Sequence, residues 1–518
     1  MTYPRTYAAT TPDKPAVVMA GSGETITYRE LEARSCRLAQ LLWDRGLRPG
    51  DHLAILMENR PEYFEVVWAG LRSGLYVTTI NRHLTGGEAG YILDDCEARA
   101  LVISSTLANK LPELALCAPS CTTRLVATGT AEGYESYEEV VAEYPAEPLV
   151  DEPAGLFMLY SSGTTGRPKG IKARLPEVPA SEFRSGVTLL LENVFGFDDS
   201  TVYLCPAPLY HSAPMGFTIG THALGGTVVV MEHFDPVDAL ATIEARQVTH
   251  SQWVPTMFVR MLKLDETQRS RFDLSTHRMA IHAAAPCPPA VKEQMLQWWG
   301  PIIHEYYGGT ESIGLTYVGP ADWLSHRGTV GRPMLGTLHI CDDNGAELGP
   351  NEDGLIYFER PAQVFEYHND PEKTRSAHHP QHPTWAALGD VGHVDEEGFL
   401  YLTDRASFMI VAGGVNIYPQ EIENVLVLHP KVADVAVFGV PNEDLGEEVK
   451  AVVQLIDGET PTVSLADEII EYAQSKLAHY KVPRSVDFVA VLPRLPTGKL
   501  YKRLLRDPYW GRHDSKIV

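Results

Sequence analysis

Short apolar, β-branched runs alternate with amphipathic stretches through the first part of this chain. The runs lie at 16–19, 53–57, 100–104, 157–161, 201–204, 227–231 and 278–282. Between them come helical patterns such as Tyr28–Asp44 and 235–246. Strand-length apolar runs spaced by helix-length segments are the signature of βα units, whose strands pair in parallel. The pattern predicts an α/β fold, with parallel-rich sheets flanked by helices. At 518 residues the chain is too long for one core, so more than one domain is expected.

The texture changes twice. After about residue 335, Asn344-Gly345 and Asp353-Gly354 read as turns between short strands, so a small β-rich subdomain is expected there. Near 404–407 a compact α+β segment begins. Its strands read 432–440 and 449–455, and its helix reads 464–478 with Ser464 and Asp467 in N-cap spacing. The expected division is an N-terminal domain over 1–406 and a small C-terminal domain over 407–518.

Charge and composition exclude several function classes. Lys and Arg number 43 against 67 Asp and Glu, a formal net charge of −24. A nucleic-acid binder needs a basic surface to neutralise phosphates, so none is expected here. No apolar run approaches the ~20 residues of a membrane span. The N-terminus has no basic region followed by an apolar run, so a cytoplasmic protein is expected. The seven cysteines are scattered, with no CxxC pair, and read as reduced thiols rather than a disulfide framework or zinc site.

The strongest chemical signal is the run Tyr160-Ser161-Ser162-Gly163-Thr164-Thr165-Gly166-Arg167-Pro168-Lys169-Gly170, which follows an apolar strand-like run. Phosphate oxygens need many short donors and close backbone approach. Hydroxyls supply the donors, glycines allow the approach, and Lys169 adds charge. It is not a Walker loop, because no G-K-[ST] ends it.

With that loop the chain resembles the adenylate-forming superfamily, in its acyl-CoA synthetase and fatty-acid–CoA ligase branch. Further motifs recur in family order. Tyr306-Tyr307-Gly308-Gly309-Thr310-Glu311-Ser312 is similar to the family's Y-G-x-T-E stretch. The resemblance implies that Tyr307 stacks on adenine, Thr310 bonds the α-phosphate and Glu311 holds Mg²⁺, a hard cation that prefers carboxylate oxygen. Asp390, in Leu388-Gly389-Asp390, would accept from the ribose hydroxyls, with Arg405 binding ribose or phosphate. Ala283-Ala284-Ala285-Pro286 resembles the strand end that walls the pocket. Pro208-Leu209-Tyr210-His211 resembles the segment placing a histidine, His211, beside the substrate carboxylate. Trp253, Ala283, Tyr306 and Gly309 complete the expected acyl pocket. Gly413-Gly414, before Val415-Asn416-Ile417, would line the pantetheine tunnel of coenzyme A, where only bare backbone fits. Lys499, in Pro496-Thr497-Gly498-Lys499, would stabilise charge at the α-phosphoryl group as the carboxylate attacks.

Three features depart from the pattern. Ser407 stands at the implied hinge of the mobile C-terminal domain, where most relatives carry lysine or aspartate. The run Ile171-Lys172-Ala173-Arg174 after the loop places two basic residues that could attract ATP, contact the phosphate end of coenzyme A, or be surface charges. Tyr306 stands where many aryl-CoA ligases carry glycine. His368, His378, His379 and His382 fit no zinc spacing and read as a loop insertion broken by Pro380 and Pro383.

The implied reaction joins a carboxylic acid to coenzyme A, with ATP cleaved to AMP and pyrophosphate through an acyl-adenylate. ATP, Mg²⁺ and coenzyme A are the expected cofactor and co-substrates. The acid is expected to be a medium- or long-chain fatty, alicyclic or aryl acid, and the protein a monomer or homodimer. The alternative is a standalone adenylating enzyme that loads a carrier-protein thiol or another nucleophile; with nineteen residues after Lys499 in this sequence, a modular enzyme with a fused carrier domain is the less expected form. A non-enzymatic adenylate sensor is disfavoured by the intact Thr310, Glu311, Asp390, Arg405 and Lys499.

Overall fold

The computed structural model describes residues 3–115, 117–161, 168–405, 408–412, 415–442, 444–494 and 500–510. The chain is mixed α/β and divides into two compact units. The first contains Met1–Trp253, Glu266–Ile281 and Val364–Arg375, and the second contains Val254–Asp265, His282–Gln363 and Ser376–Val518.

In the first unit one sheet runs, in spatial order, Glu135–Ser136, Thr123–Ala127, Ala98–Ser104, His52–Leu56, Tyr76–Thr79 and Leu156–Phe157. Every pairing in it is parallel. A second sheet carries Pro15–Met19, Thr227–Val230, Val202–Cys205 and His250–Trp253 in parallel, with Thr25–Thr27 antiparallel at its edge. Parallel strands are covered on both faces, which is why they read as unbroken apolar runs. His52–Leu56 and Tyr76–Thr79 are buried at every residue. The covering helices start where side chains cap them. At Tyr28–Asp44, Thr27 accepts from the Glu30 N–H while the Glu30 carboxylate accepts from the Thr27 N–H at 2.9 Å.

The run 157–161 is not the single strand its composition suggests. Leu156–Phe157 closes the parallel sheet. Leu159–Ser161 instead joins Lys169–Lys172 and Glu366–Tyr367 in a separate three-stranded antiparallel sheet. Met158, fully buried, stands between the two. A change of sheet leaves no trace in hydrophobic period.

In the second unit the strands Ile303–Gly308, Leu315–Val318, Thr329–Leu335, Leu400–Arg405, Trp385–Val394, Gly354–Glu359 and Thr337–Cys341 follow one another, all antiparallel. Antiparallel pairing therefore begins before residue 335. The turn at Asn344-Gly345 forms as expected, with Asp342 accepting from the N–H groups of Asn344 and Ala346. Asp353-Gly354 is not a turn. Gly354 opens a strand, and a Cβ there would lie 2.4 Å from the Cys341 carbonyl oxygen. The chain reverses instead just before it, at Pro350-Asn351.

The rest of this unit is an α+β layer. Val415–Ile417, Ile410–Ala412, Gly446–Leu455 and Val432–Asn442 form its sheet, with Ser485–Val489 parallel to Gly446–Leu455. The helices Pro419–Leu426 and Val463–Gln474 contribute Ile422, Leu426, Leu465 and Ile469 to its core. The second helix is capped by Thr462, whose hydroxyl accepts from the Leu465 N–H at 3.1 Å. The expected cap, Ser464, lies inside the helix. Thr462 is extended (φ −141°, ψ 157°), the conformation that turns a cap side chain onto the first turn. Among the described residues no helix is long and apolar enough to cross a membrane.

Candidate active site

The stem of the Ser161–Lys169 loop is a β-hairpin. Lys169 pairs with Ser161, Gly170 with Tyr160 and Ile171 with Leu159. Ser162, Gly163, Thr164, Thr165 and Gly166 lie outside the described residues. Ser161 ends one strand, and Lys169 starts the other with its ammonium 5.7 Å from the Tyr367 ring centroid. Burial, with Lys373 nearby, holds the Lys169 pKa below the usual lysine value. Downstream, Lys172 lies 4.9 Å from the Tyr76 ring centroid and Arg174 pairs with Glu177.

His211 is the residue before the helix Ser212–Ala223, with its ring 4.4 Å from that of Tyr210. The segment leading to it is braced by residues the sequence reading did not single out. Buried Asn59 donates to the Ala207 and Met231 carbonyls and accepts from the Leu209 N–H at 2.9 Å. The Thr79 hydroxyl donates to the Tyr210 carbonyl at 2.8 Å. Polar residues at strand ends carried no sequence signal beyond their type. Trp253 ends the strand His250–Trp253, 1% exposed, and donates to Ser251 Oγ at 2.5 Å.

The second unit holds the other motifs. Ile303–Gly308 carries Tyr306, Tyr307 and Gly308 to the end of a strand, and Gly309, Thr310 and Glu311 follow in a turn closed by the Ser312 N–H on the Gly309 carbonyl at 3.1 Å. A Cβ on Gly309 would fall 2.7 Å from Leu388 and 2.8 Å from Glu311 Oε2, so the carboxylate reaches back over a bare backbone. The donor chemistry fits Mg²⁺: a hard cation takes one or two carboxylates and completes its shell with phosphate and water oxygens. The Tyr307 hydroxyl donates to Asp390 Oδ2 at 2.8 Å, bringing together two motifs 83 residues apart. Asp390 is 8% exposed and its backbone pairs with that of Arg405 on the next strand. Ala283–Pro286 leaves the strand Met279–His282, and Ala284 takes φ +76°, a conformation few non-glycine residues adopt.

Beneath these motifs is a buried ion pair that sequence reasoning missed. Lys292 Nζ lies 2.6 Å from Glu305 Oε2, and His282 Nε2 lies 3.4 Å from the same oxygen. Burial pushes the Glu305 carboxyl up, against Lys292, and drives the His282 imidazole well below its usual value. Glu305 directly precedes Tyr306, and His282 directly precedes Ala283.

Ser407, Gly413, Gly414 and Lys499 lie outside the described residues; their surroundings do not. Ala412 pairs with Val415 on either side of 413–414. Arg494 bridges to Leu500 on either side of 495–499, and Arg494 is held by Asp434. Lys502 and the Val437 N–H both donate to Glu423 Oε1. Within the histidine-rich stretch, His382 stacks on Trp385, on which His339 of the strand Thr337–Cys341 also stacks, and His379 bonds the Gly345 carbonyl at 3.0 Å.

Comparison with known proteins identifies the family. The sequence model of the AMP-binding enzyme family matches residues 5–368, and that of the AMP-binding enzyme C-terminal domain matches 421–499. The chain belongs to the AMP-binding enzyme family. It is 31% identical to the fatty acid–[acyl-carrier-protein] ligase ScoC of Streptomyces coeruleorubidus, over 99% of this chain and 96% of that protein. It is 30% identical to the long-chain-fatty-acid–CoA ligase FadD13 of Mycobacterium tuberculosis, over 98% and 97%. Among solved structures it resembles the o-succinylbenzoate-CoA synthetase MenE of Bacillus subtilis bound to its acyl-adenylate intermediate, with a TM-score of 0.79 and 27% identity, covering 98% of each chain. This AMP-binding enzyme is an AMP-forming acid–thiol ligase.

Proposed function

We propose that this AMP-binding enzyme activates a carboxylic acid with ATP and passes the acyl group to the thiol of coenzyme A. The observation that carries the nucleotide reading is the Tyr307–Asp390 hydrogen bond, which joins the residues assigned to adenine and ribose at one strand end. Thr310 follows on the same turn for the α-phosphate. Ser161–Gly166 and Lys169 take the phosphates, Ala284, Ala285, Pro286 and Gly308 border the nucleotide, and Arg405 joins Asp390 at the ribose. Glu311 would hold Mg²⁺, which when bound neutralises phosphate charge. His211, Trp253, Ala283, Tyr306 and Gly309 border the acid.

In the first half-reaction a carboxylate oxygen attacks the α-phosphorus and pyrophosphate leaves. Lys499 and Thr310 stabilise the charge that develops, so the work is positioning and electrostatics. In the second half the thiolate attacks the acyl carbon and AMP leaves. A C-terminal domain over 407–518 turns about Ser407, withdrawing Lys499 and bringing Gly413-Gly414 in, a hinge motion of the kind that completes many active sites. The acid is a fatty, alicyclic or aryl carboxylic acid, and the enzyme is cytoplasmic, a monomer or homodimer.

A carrier-protein thiol is the second reading, favoured by full-length similarity to a fatty acid–[acyl-carrier-protein] ligase. Mass spectrometry of products made with coenzyme A against a phosphopantetheinylated carrier separates the acceptors. An ATP–pyrophosphate exchange screen across acid classes identifies the acid. The division of labour is tested by Lys499→Ala. Adenylate formation should fall at least about a hundredfold, while thioester formation from supplied acyl-adenylate persists. Equal loss of both halves overturns the scheme.

A further inference from the structure

We propose that Asp95 and Tyr160 are a positioning pair that sets the phosphate loop at the height ATP requires. The inference rests on the reading of residues 161–170 as that loop. The stem strands Leu159–Ser161 and Lys169–Lys172 are three and four residues long. The third strand of their sheet, Glu366–Tyr367, is only two residues long, and a sheet this small needs anchorage from outside it.

Asp95, the last residue of the helix Gly86–Asp95, supplies that anchorage to both strands. Its Oδ2 accepts from the Tyr160 hydroxyl at 2.5 Å. Its carbonyl accepts from His368 Nε2 at 3.0 Å and Asn369 Nδ2 at 3.3 Å. The His368 N–H in turn donates to the Gly170 carbonyl at 2.8 Å. Tyr160 thus ties one strand to Asp95 directly, and His368 ties the other through its backbone.

The tyrosine ring has one place to lie. Gly170 is its cross-strand partner, and a Cβ there would fall 3.0 Å from Tyr160 Cζ and 2.5 Å from Met158 Cε. The ring therefore covers the glycine and its hydroxyl ends on the carboxylate. Tyr160 is the residue before Ser161, so a tilt of the ring is passed to the first donor of the loop. Neither Asp95 nor Tyr160 touches substrate in this scheme. They act through the backbone they hold.

The test uses the full-length enzyme in ATP–pyrophosphate exchange. Tyr160→Phe keeps the ring and removes the tie. KM for ATP should rise about tenfold while KM for the acid stays within about twofold and Tm moves by only a few degrees. Asp95→Asn keeps an acceptor and should restore near-normal values, whereas Asp95→Leu should reproduce the Tyr160→Phe defect. The double variant Tyr160→Phe/Asp95→Leu should be no worse than either single one, because both remove the same contact. Unchanged KM for ATP in Tyr160→Phe overturns the inference, as does an equal rise for ATP and acid. Thr164→Ala and Thr165→Ala separate the two levels. If they raise KM for ATP and Tyr160→Phe does not, the pair alone is discarded. If they too leave it unchanged, the phosphate-loop reading falls and the pair with it.

Discussion

Lys292 and Glu305 illustrate what a single buried pair does in this enzyme. Lys292 is completely buried in the helix Pro289–Trp299, and Glu305 is 4% exposed on the strand ahead of Tyr307. The ammonium also lies 5.0 Å from the Trp323 ring centroid. Two charges taken out of water are held by one short contact, and removing one strands the other. Lys292→Met should lower stability by about 3–5 kcal/mol, read as a drop in the urea midpoint. Lys292→Met/Glu305→Leu should recover most of that loss, because no uncompensated charge remains. A double variant as unstable as the single would mean that the pair contributes more than mutual compensation. In the sequence Lys292 is one lysine in a helix of mixed polar and apolar residues, and its charge marks it for the surface. Tyr307 and Asp390 were legible as separate motifs, but their hydrogen bond was not, because 83 residues separate them.

At the level of elements, helix starts and turns carry the clearest local chemistry, and they also mislead where the same residue types cluster. Thr462, Ser464 and Asp467 all suit the start of one helix, and only Thr462 is placed to cap it. Thr462→Ala should destabilise the helix Val463–Gln474 by about 1 kcal/mol, measured as faster hydrogen exchange of its amides. Ser464→Ala should leave the same amides unchanged, and a reversed result would move the cap to Ser464. Asn344-Gly345 was readable as a turn because Asp342 and a φ of +82° at Gly345 act within a few residues. Gly354 was misread because its role depends on Cys341, across the sheet. The broken strand at 157–161 belongs to the same class: the partners at 76–79 and 169–172 decide which sheet each half joins.

Across the whole molecule, buried histidines set the acid limit. Burial lowers His52, His222, His250 and His304 to about 4, and His277 to about 3. These rings are neutral in the folded chain and take up protons on unfolding below about 6.5. Their contribution to stability is therefore complete above that pH and is lost as pH falls toward 4. Each tenfold change in proton affinity is worth about 1.4 kcal/mol, so the summed effect is large. Tm should fall steadily from pH 6.5 to 4.5, ahead of the range where most carboxylates protonate. Relief of the net charge of −24 acts in the opposite direction, but mainly at lower pH. A Tm that is flat across this window would mean that these rings already carry protons when folded. His222→Gln, which removes one such ring, should shallow the slope.

The sequence by itself determined the α/β class, the order of the motifs and the residue types that stand at the proposed nucleotide and acid positions. These follow from short-range rules: hydrophobic period, glycine and hydroxyl content, and spacing along the chain. Only the tertiary structure decided that Leu159–Ser161 pairs with Lys169–Lys172 and that Tyr160 meets Asp95, that Lys292 is buried against Glu305, and that Tyr307 meets Asp390. Each of these is a contact between residues far apart in the chain, and its energy depends on burial and distance, which no local pattern encodes.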